Sequence, residues 1–177
     1  EYRIALPFFD RAEAIRTELG DSLNLGRTIL LKASTLDNLG QFEPALEYYK
    51  RAFELNQISG DQARVAESLL KAGTVLNNLG KYPEALESLD KALEINKAIN
   101  KSSGISEALN QTGYVYLKLG DLNKALDKFN EAIKITKDQN DKWGLAGVYN
   151  NLGIMLQNAG RFEKALEYYN NALSIYD

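Results

Sequence analysis

Carboxamide side chains recur at a fixed spacing in this sequence. Asn38, Asn78 and Asn158 each stand two residues before a glycine, and those glycines belong to a series spaced forty residues apart. A carboxamide offers two N–H donors and one acceptor, so it can hold a peptide unit without recognising its side chain. These three residues are therefore candidates for contact with a peptide backbone. The sequence leaves open the alternative that each Asn is an ordinary polar helix terminus.

The residue types in the sequence give little support to a catalytic function. The 177 residues include no Cys and no His, which excludes disulfides and thiolate metal ligands and removes the commonest general base. We find no nucleophile elbow and no phosphate-binding glycine loop. The carboxylates recur at helical spacing beside Lys and Arg, where they form ion pairs. We expect a protein that is not an enzyme and that uses no cofactor and no metal.

The amino-acid composition and the net charge limit the classes of partner that we expect this protein to bind. Hydrophobic residues make up 45% and charged residues 25% of the chain, which is typical of a globular protein. The formal net charge of -3 argues against nucleic acid, because phosphate binding needs clustered Lys and Arg. No apolar run approaches the roughly 18 residues of a membrane span. We expect no nucleic-acid or membrane partner, and we favour a cytoplasmic location.

A pair of helices repeats along the chain. Gly40, Gly80, Gly120 and Gly160 predict the ends of first helices at about 21–39, 61–79, 104–119 and 142–159. Second helices are predicted at about 42–58, 82–99, 122–138 and 162–176. We expect one domain over 1–177, in which the second helix of a truncated repeat (1–19) precedes four repeats at 21–59, 61–99, 101–139 and 141–177. The pattern stops inside a repeat, so we expect a fragment of a longer protein with a further helix after Asp177.

Glycines inside the first helices predict how each pair packs. Gly73, Gly113 and Gly153 occupy matching positions, where Gly costs about 1 kcal/mol relative to Ala. Because this cost in stability occurs in three repeats, it indicates that the second helix of each pair lies close to the backbone of the first helix at these glycines. The large residues expected opposite these glycines are Leu89, Phe129 and Tyr169.

The repeats resemble the tetratricopeptide repeat family. The resemblance rests on Gly73, Gly80, Tyr82, Ala85, Leu89 and Ala92, and again on Leu152, Gly153, Gly160, Phe162, Ala165, Tyr169 and Ala172. The period exceeds the usual 34 or so residues and is similar to that of long-repeat variants in kinesin light chains, spindle-orientation adaptors and bacterial signalling proteins. The resemblance implies an all-α, right-handed superhelix of antiparallel helix pairs. It also implies a concave groove, lined by first helices, that binds a protein or peptide.

Candidate groove residues follow if the first helices line the groove. Their charges are mixed and favour neither an acidic nor a basic ligand, and Trp143 is expected to cap a joint between repeats. The candidates are Arg27, Ser34, Asp37, Asn38, Glu67, Lys71, Thr74, Asn77, Asn78, Glu107, Asn110, Gln111, Tyr114, Lys118, Asn150, Asn151, Gln157 and Asn158.

Two further expectations concern partners. The main function predicted is a protein–protein interaction module; the alternative is a sensory or autoinhibitory domain of a bacterial signalling protein, such as a histidine kinase or a transcriptional regulator. The terminal helices carry Ile4, Phe8, Phe9, Leu166 and Leu173 without a predicted covering helix. Open apolar surface of this kind tends to find a partner, so we expect end-to-end self-association.

Overall fold

A computed structural model describes residues 2–175, and over that range the regular structure is entirely α-helical. This confirms the prediction of an all-α helical repeat, with helix bounds within a few residues of those expected. The last predicted bound, 176, lies outside the described residues, and the right-handed superhelix stays a prediction. The helices are α1 (Tyr2–Glu18), α2 (Ser22–Asn38), α3 (Phe42–Ile58), α4 (Gln62–Asn78), α5 (Tyr82–Ala98), α6 (Ser102–Leu119), α7 (Leu122–Asp138), α8 (Lys142–Asn158) and α9 (Phe162–Leu173).

The helix ends follow from local chemistry. The periodic glycines after the first helices have positive φ, for example 71° at Gly40 and 81° at Gly120, a conformation that lets the chain leave the helix. Aspartates begin several helices: the Asp61 carboxylate accepts from the Arg64 amide at 3.0 Å, and that of Asp141 accepts from the Gly144 amide at 2.9 Å. Each bond satisfies an amide that the helix itself leaves unpaired.

The chain divides into two compact units, one ending at Ile95 and the other beginning at Asn96. Unit 1 contains α1–α4 and most of α5, and unit 2 contains the end of α5 with α6–α9. The prediction of one domain over the whole chain stays a prediction. Within each unit the antiparallel helix pairs place the small residues of one helix against the large residues of the next.

In unit 1 the helices interlock at Gly73. A Cβ placed there would lie 2.8 Å from Leu89 Cγ and 3.3 Å from the Ala85 carbonyl oxygen, so only glycine fits without displacement. Unit 2 repeats this contact twice: a Cβ would lie 2.7 Å from Phe129 Cε1 at Gly113, and 2.7 Å from Tyr169 Cδ1 at Gly153. These distances confirm the predicted close approach.

A partly buried ion-pair cluster joins α1, α2 and α3 in unit 1. Lys32 is 7% exposed, and its Nζ lies 2.7 Å from Asp10, 2.9 Å from Glu13 and 2.7 Å from the Tyr48 hydroxyl. Burial alone would lower the pKa of Lys32, but these hydrogen bonds outweigh it and hold the pKa above its usual value. The cluster links α1 and α3 to α2 and includes none of the residues predicted to line the groove.

Candidate functional site

The predicted groove residues of unit 1 lie on α2 and α4. Arg27, Asn38, Glu67 and Asn78 are exposed. Ser34, Asp37, Lys71 and Thr74 are half-buried, and together these eight residues are called the unit 1 face. The Ser34 and Thr74 hydroxyls donate to backbone carbonyls one turn earlier, each at 3.1 Å. Both hydroxyls are therefore used within their own helix.

One charged cluster brings several of these residues together. The Tyr49 hydroxyl donates from α3 to Ser34 Oγ, 3.1 Å away, and it lies close to the Asp37 carboxyl group. Burial and the nearby carboxylates of Asp37 and Glu67 together raise the pKa of Tyr49 to about 12, against the opposing hydrogen bond with Ser34. Burial also raises the pKa of Asp37, although the charge of Lys71 and the Tyr49 hydroxyl act in the opposite direction. The unit 1 face thus holds a carboxylate that ionises less readily than usual.

Asn77 corrects the prediction, because it lies inside the helix interface. It is 7% exposed, and its Oδ1 has no hydrogen-bond partner among the described residues. Asn77 stands four residues after Gly73 and so shares the side of α4 that faces the second helix. At the matching position in the last repeat, Gln157 accepts a hydrogen bond of 2.9 Å from the Tyr169 hydroxyl. In the repeat of Asn77 the corresponding residue is Leu89, which has no hydroxyl.

The predicted residues of unit 2 lie on α6 and α8. Glu107, Lys118, Gln157 and Asn158 are exposed. Asn110, Gln111, Tyr114, Asn150 and Asn151 are half-buried, and these nine residues are called the unit 2 face. Lys118 Nζ lies 5.0 Å from the centre of the Tyr114 ring, within the range of a cation–π contact.

An amide pair joins the two first helices of unit 2. Asn151 Nδ2 donates to Asn110 Oδ1 at 2.8 Å, across 41 residues of sequence. This bond uses the acceptor of Asn110 and one hydrogen of Asn151. The Asn110 NH₂ group and the Asn151 carbonyl oxygen can therefore still bond a ligand.

A pocket of about 350 Å³ opens beside this amide pair, within unit 2. Glu107, Asn110, Gln111, Trp143 and Gly147 contribute to its wall. Trp143 lies where two repeats meet, as predicted, but it is 70% exposed and so covers little of the joint. The expectation that it caps the joint is therefore corrected.

Gly147 is not among the residues predicted from the sequence, although its position in the repeat distinguishes it. Arg27, Glu67 and Glu107 occupy the same repeat position and all have long side chains. Gly147 is the exception, and a Cβ there would meet a single heavy atom within 4 Å, Asn110 Nδ2 at 3.8 Å. Its missing side chain leaves the space in which the pocket forms.

Within 2–175 no group of three or more Asp, Glu, His or Cys could hold a metal ion. In the same range no helix combines the length and the apolarity needed to cross a membrane.

Family models match most of the sequence. Three models, each described as Tetratricopeptide repeat, match residues 26–58, 64–138 and 146–177. No curated protein is significantly similar in sequence.

Solved structures of similar fold cover nearly the whole chain. BtubC (BKLC) from P. vanneervenii is 24% identical, with a TM-score of 0.81 over 99% of this chain and 73% of that one. The putative kinesin light chain repeats of Podosopora anserina are 14% identical, with a TM-score of 0.72 over 99% and 87%. A Rap protein complexed with Competence and Sporulation Factor is 16% identical, with a TM-score of 0.78 over 99% and 58%. At these identities the likeness concerns the fold alone.

Proposed function

Because the chain belongs to the tetratricopeptide repeat family, we propose that it binds a peptide or protein segment along its first helices. We assign this binding to the unit 1 face and to the unit 2 face separately, each on the first helices of its own unit, as the groove of the family resemblance implies. The chain contributes binding and no catalytic step. A Rap protein of similar fold holds Competence and Sporulation Factor, and we assign this chain a comparable role with a partner of its own.

The observation that carries this proposal is the Asn110–Asn151 pair. Their mutual bond of 2.8 Å fixes both amides, so a ligand need not order them on binding. The Asn110 NH₂ group and the Asn151 carbonyl oxygen present one donor and one acceptor. This arrangement binds the backbone of a peptide and tolerates many side chains.

A peptide selection tests the proposal. Dodecapeptides are selected from a random library against the 177-residue chain, and the affinity of the best binder is measured by calorimetry. Replacing Asn78, Asn110 and Asn150 together by Ala should weaken binding at least about tenfold, because each lost hydrogen bond is worth about 1 kcal/mol. Helicity by circular dichroism should not change.

The matched control replaces Asn123, Asn130 and Asn170, which are exposed amides of the second helices. This control variant should bind like the original chain. A library without any binder, or a binder whose affinity the first triple substitution leaves intact, would contradict the proposal. A binder that corresponds to a segment of the same polypeptide would favour the sensory or autoinhibitory alternative.

We also propose that copies of the chain self-associate through α1 and α9. Phe8 is 71% exposed, and Leu166 and Leu173 are 59% and 58% exposed. Large apolar side chains on one helix surface favour contact with another protein surface. A second copy presents the same surfaces and is the partner we assign.

A further inference from the structure

The charged residues that line the pocket of unit 2 are all acidic. Its described wall includes the carboxylates of Glu107 and Asp141 and the ring of Trp143, and it includes no Lys or Arg. The remaining polar contributions are hydroxyls and amides. Carboxylates attract a cation directly, and the face of a Trp ring attracts one through its quadrupole. The lining therefore complements a positively charged group.

An anion is a poor fit, even though the N-terminus of α8 lies at the pocket. The Asp141 carboxylate already accepts the Gly144 amide at 2.9 Å and neutralises that helix end. A bound anion would compete with this carboxylate and would face Glu107 as well. Charge thus selects against phosphate or carboxylate ligands.

We propose that this pocket takes an arginine side chain of the bound peptide. A guanidinium is planar, so it can stack on Trp143 and at the same time donate several hydrogen bonds to oxygen acceptors in the wall. A lysine ammonium can do only part of this, because it is compact and more strongly hydrated. The inference rests on the proposed function, since the arginine belongs to the ligand held by the adjoining amides.

Gly147 provides the space for the guanidinium. A Cβ at this position would meet only Asn110 Nδ2, at 3.8 Å. Alanine should fit there without closing the pocket, whereas a leucine side chain would fill it. Comparing alanine with leucine at position 147 thus distinguishes the effect of filling the pocket from the effect of replacing a glycine in the helix backbone.

Trp143 supplies a direct readout, because it is the only Trp in the sequence. The probes are an acetylated and amidated Gly-Gly-Arg-Gly-Gly peptide and the same peptide with citrulline, the neutral isostere of arginine. The arginine peptide should change the Trp143 fluorescence saturably, and citrulline should bind on the order of tenfold more weakly. The lysine peptide should rank between the two.

Two variants locate the binding. Gly147→Leu and Glu107→Gln should each lose about tenfold in affinity for the arginine peptide, whereas Gly147→Ala, which adds a single carbon atom, should lose much less. Circular dichroism verifies that each variant is folded. If Gly147→Leu is destabilised, Glu107→Gln still tests the charge of the pocket.

Equal binding of arginine and citrulline would overturn the proposal, as would unchanged binding by Glu107→Gln. The absence of any Trp143 response up to about 10 mM peptide would overturn it too. Equal binding of lysine would overturn the arginine assignment.

The two experiments distinguish failure of the peptide-binding proposal from failure of the arginine-pocket proposal. A selected dodecapeptide that depends on the three asparagines but shows no change when its arginines become citrulline would leave the proposed function intact and reject the pocket. Without any selected dodecapeptide the groove proposal fails, and the arginine pentapeptide then reports on the pocket by itself.

Discussion

At the scale of single residues, Asp37 makes the stability of unit 1 depend on pH. Burial raises its pKa above the usual value, and Lys71 and the Tyr49 hydroxyl offset this only in part. Because the pKa in the folded state exceeds that in the unfolded state, the unfolded chain ionises first as pH rises. The folded state therefore loses stability from about the ordinary pKa of 3.8 up to the raised one, and the loss persists at neutral pH.

Asp37→Asn should remove this penalty. Asn77 shows that the matching repeat position accepts an amide. We expect the variant to be more stable than the original chain at pH 7 by at most about 0.5 kcal/mol, since solvent screens a half-buried group. Below the ordinary pKa of Asp the difference should vanish.

Urea unfolding at about pH 3 and pH 7 measures how much the free energy of unfolding differs between Asp37→Asn and the original chain at each pH. Asp90→Asn, on the exposed surface of α5, is the control for the loss of one negative charge. A gain that is the same at both pH values would mean that ionisation of Asp37 is not its cause.

At the scale of helices, substitutions at two glycines with similar sequence neighbours should change the stability of the protein in opposite directions. A Cβ at Gly113 would lie 2.7 Å from Phe129 Cε1 and 3.2 Å from the Ala125 carbonyl oxygen. Gly113→Val should therefore destabilise the protein by about 1–3 kcal/mol through overpacking. Gly147 faces open space instead, so Gly147→Ala should stabilise it by roughly 0.5–1 kcal/mol through helix propensity.

Thermal unfolding of the two variants checks this pair of predictions. A melting temperature that Gly113→Val leaves unchanged would show that α6 and α7 can separate without cost. A loss of stability in Gly147→Ala would show that the position is already packed.

At the scale of the whole molecule, the prediction is self-association through the terminal helices. Leu166 is 59% exposed on α9, whereas Leu126 at the matching position of α7 is 40% exposed. Sedimentation at rising concentration should show a growing fraction of oligomer, which Leu166→Glu combined with Leu173→Glu should abolish because a charge cannot be buried without a partner. Leu126→Glu is the control at the matching position and should leave the oligomer in place. A chain that stays monomeric at every concentration would contradict the prediction.

The sequence alone determined the helices and the contacts within each pair. The periodic glycines predicted the ends of the first helices, and Gly113 predicted the close approach of Phe129. Both inferences depend on local geometry, because a helix end needs one residue with positive φ and a paired helix is the next element along the chain. Such features repeat with the forty-residue period and can be recognised by it.

Only the tertiary structure decided which polar side chains are available to a ligand. Asn77 and Asn78 are neighbours in a run of similar residues, yet Asn77 is buried and Asn78 is exposed. The Asn110–Asn151 bond and the pocket at Gly147 join α6 to α8, which are separated by a complete helix. Their geometry depends on how one repeat stacks on the next. Stacking is set by the packing of many side chains at once, and no single spacing in the sequence encodes it.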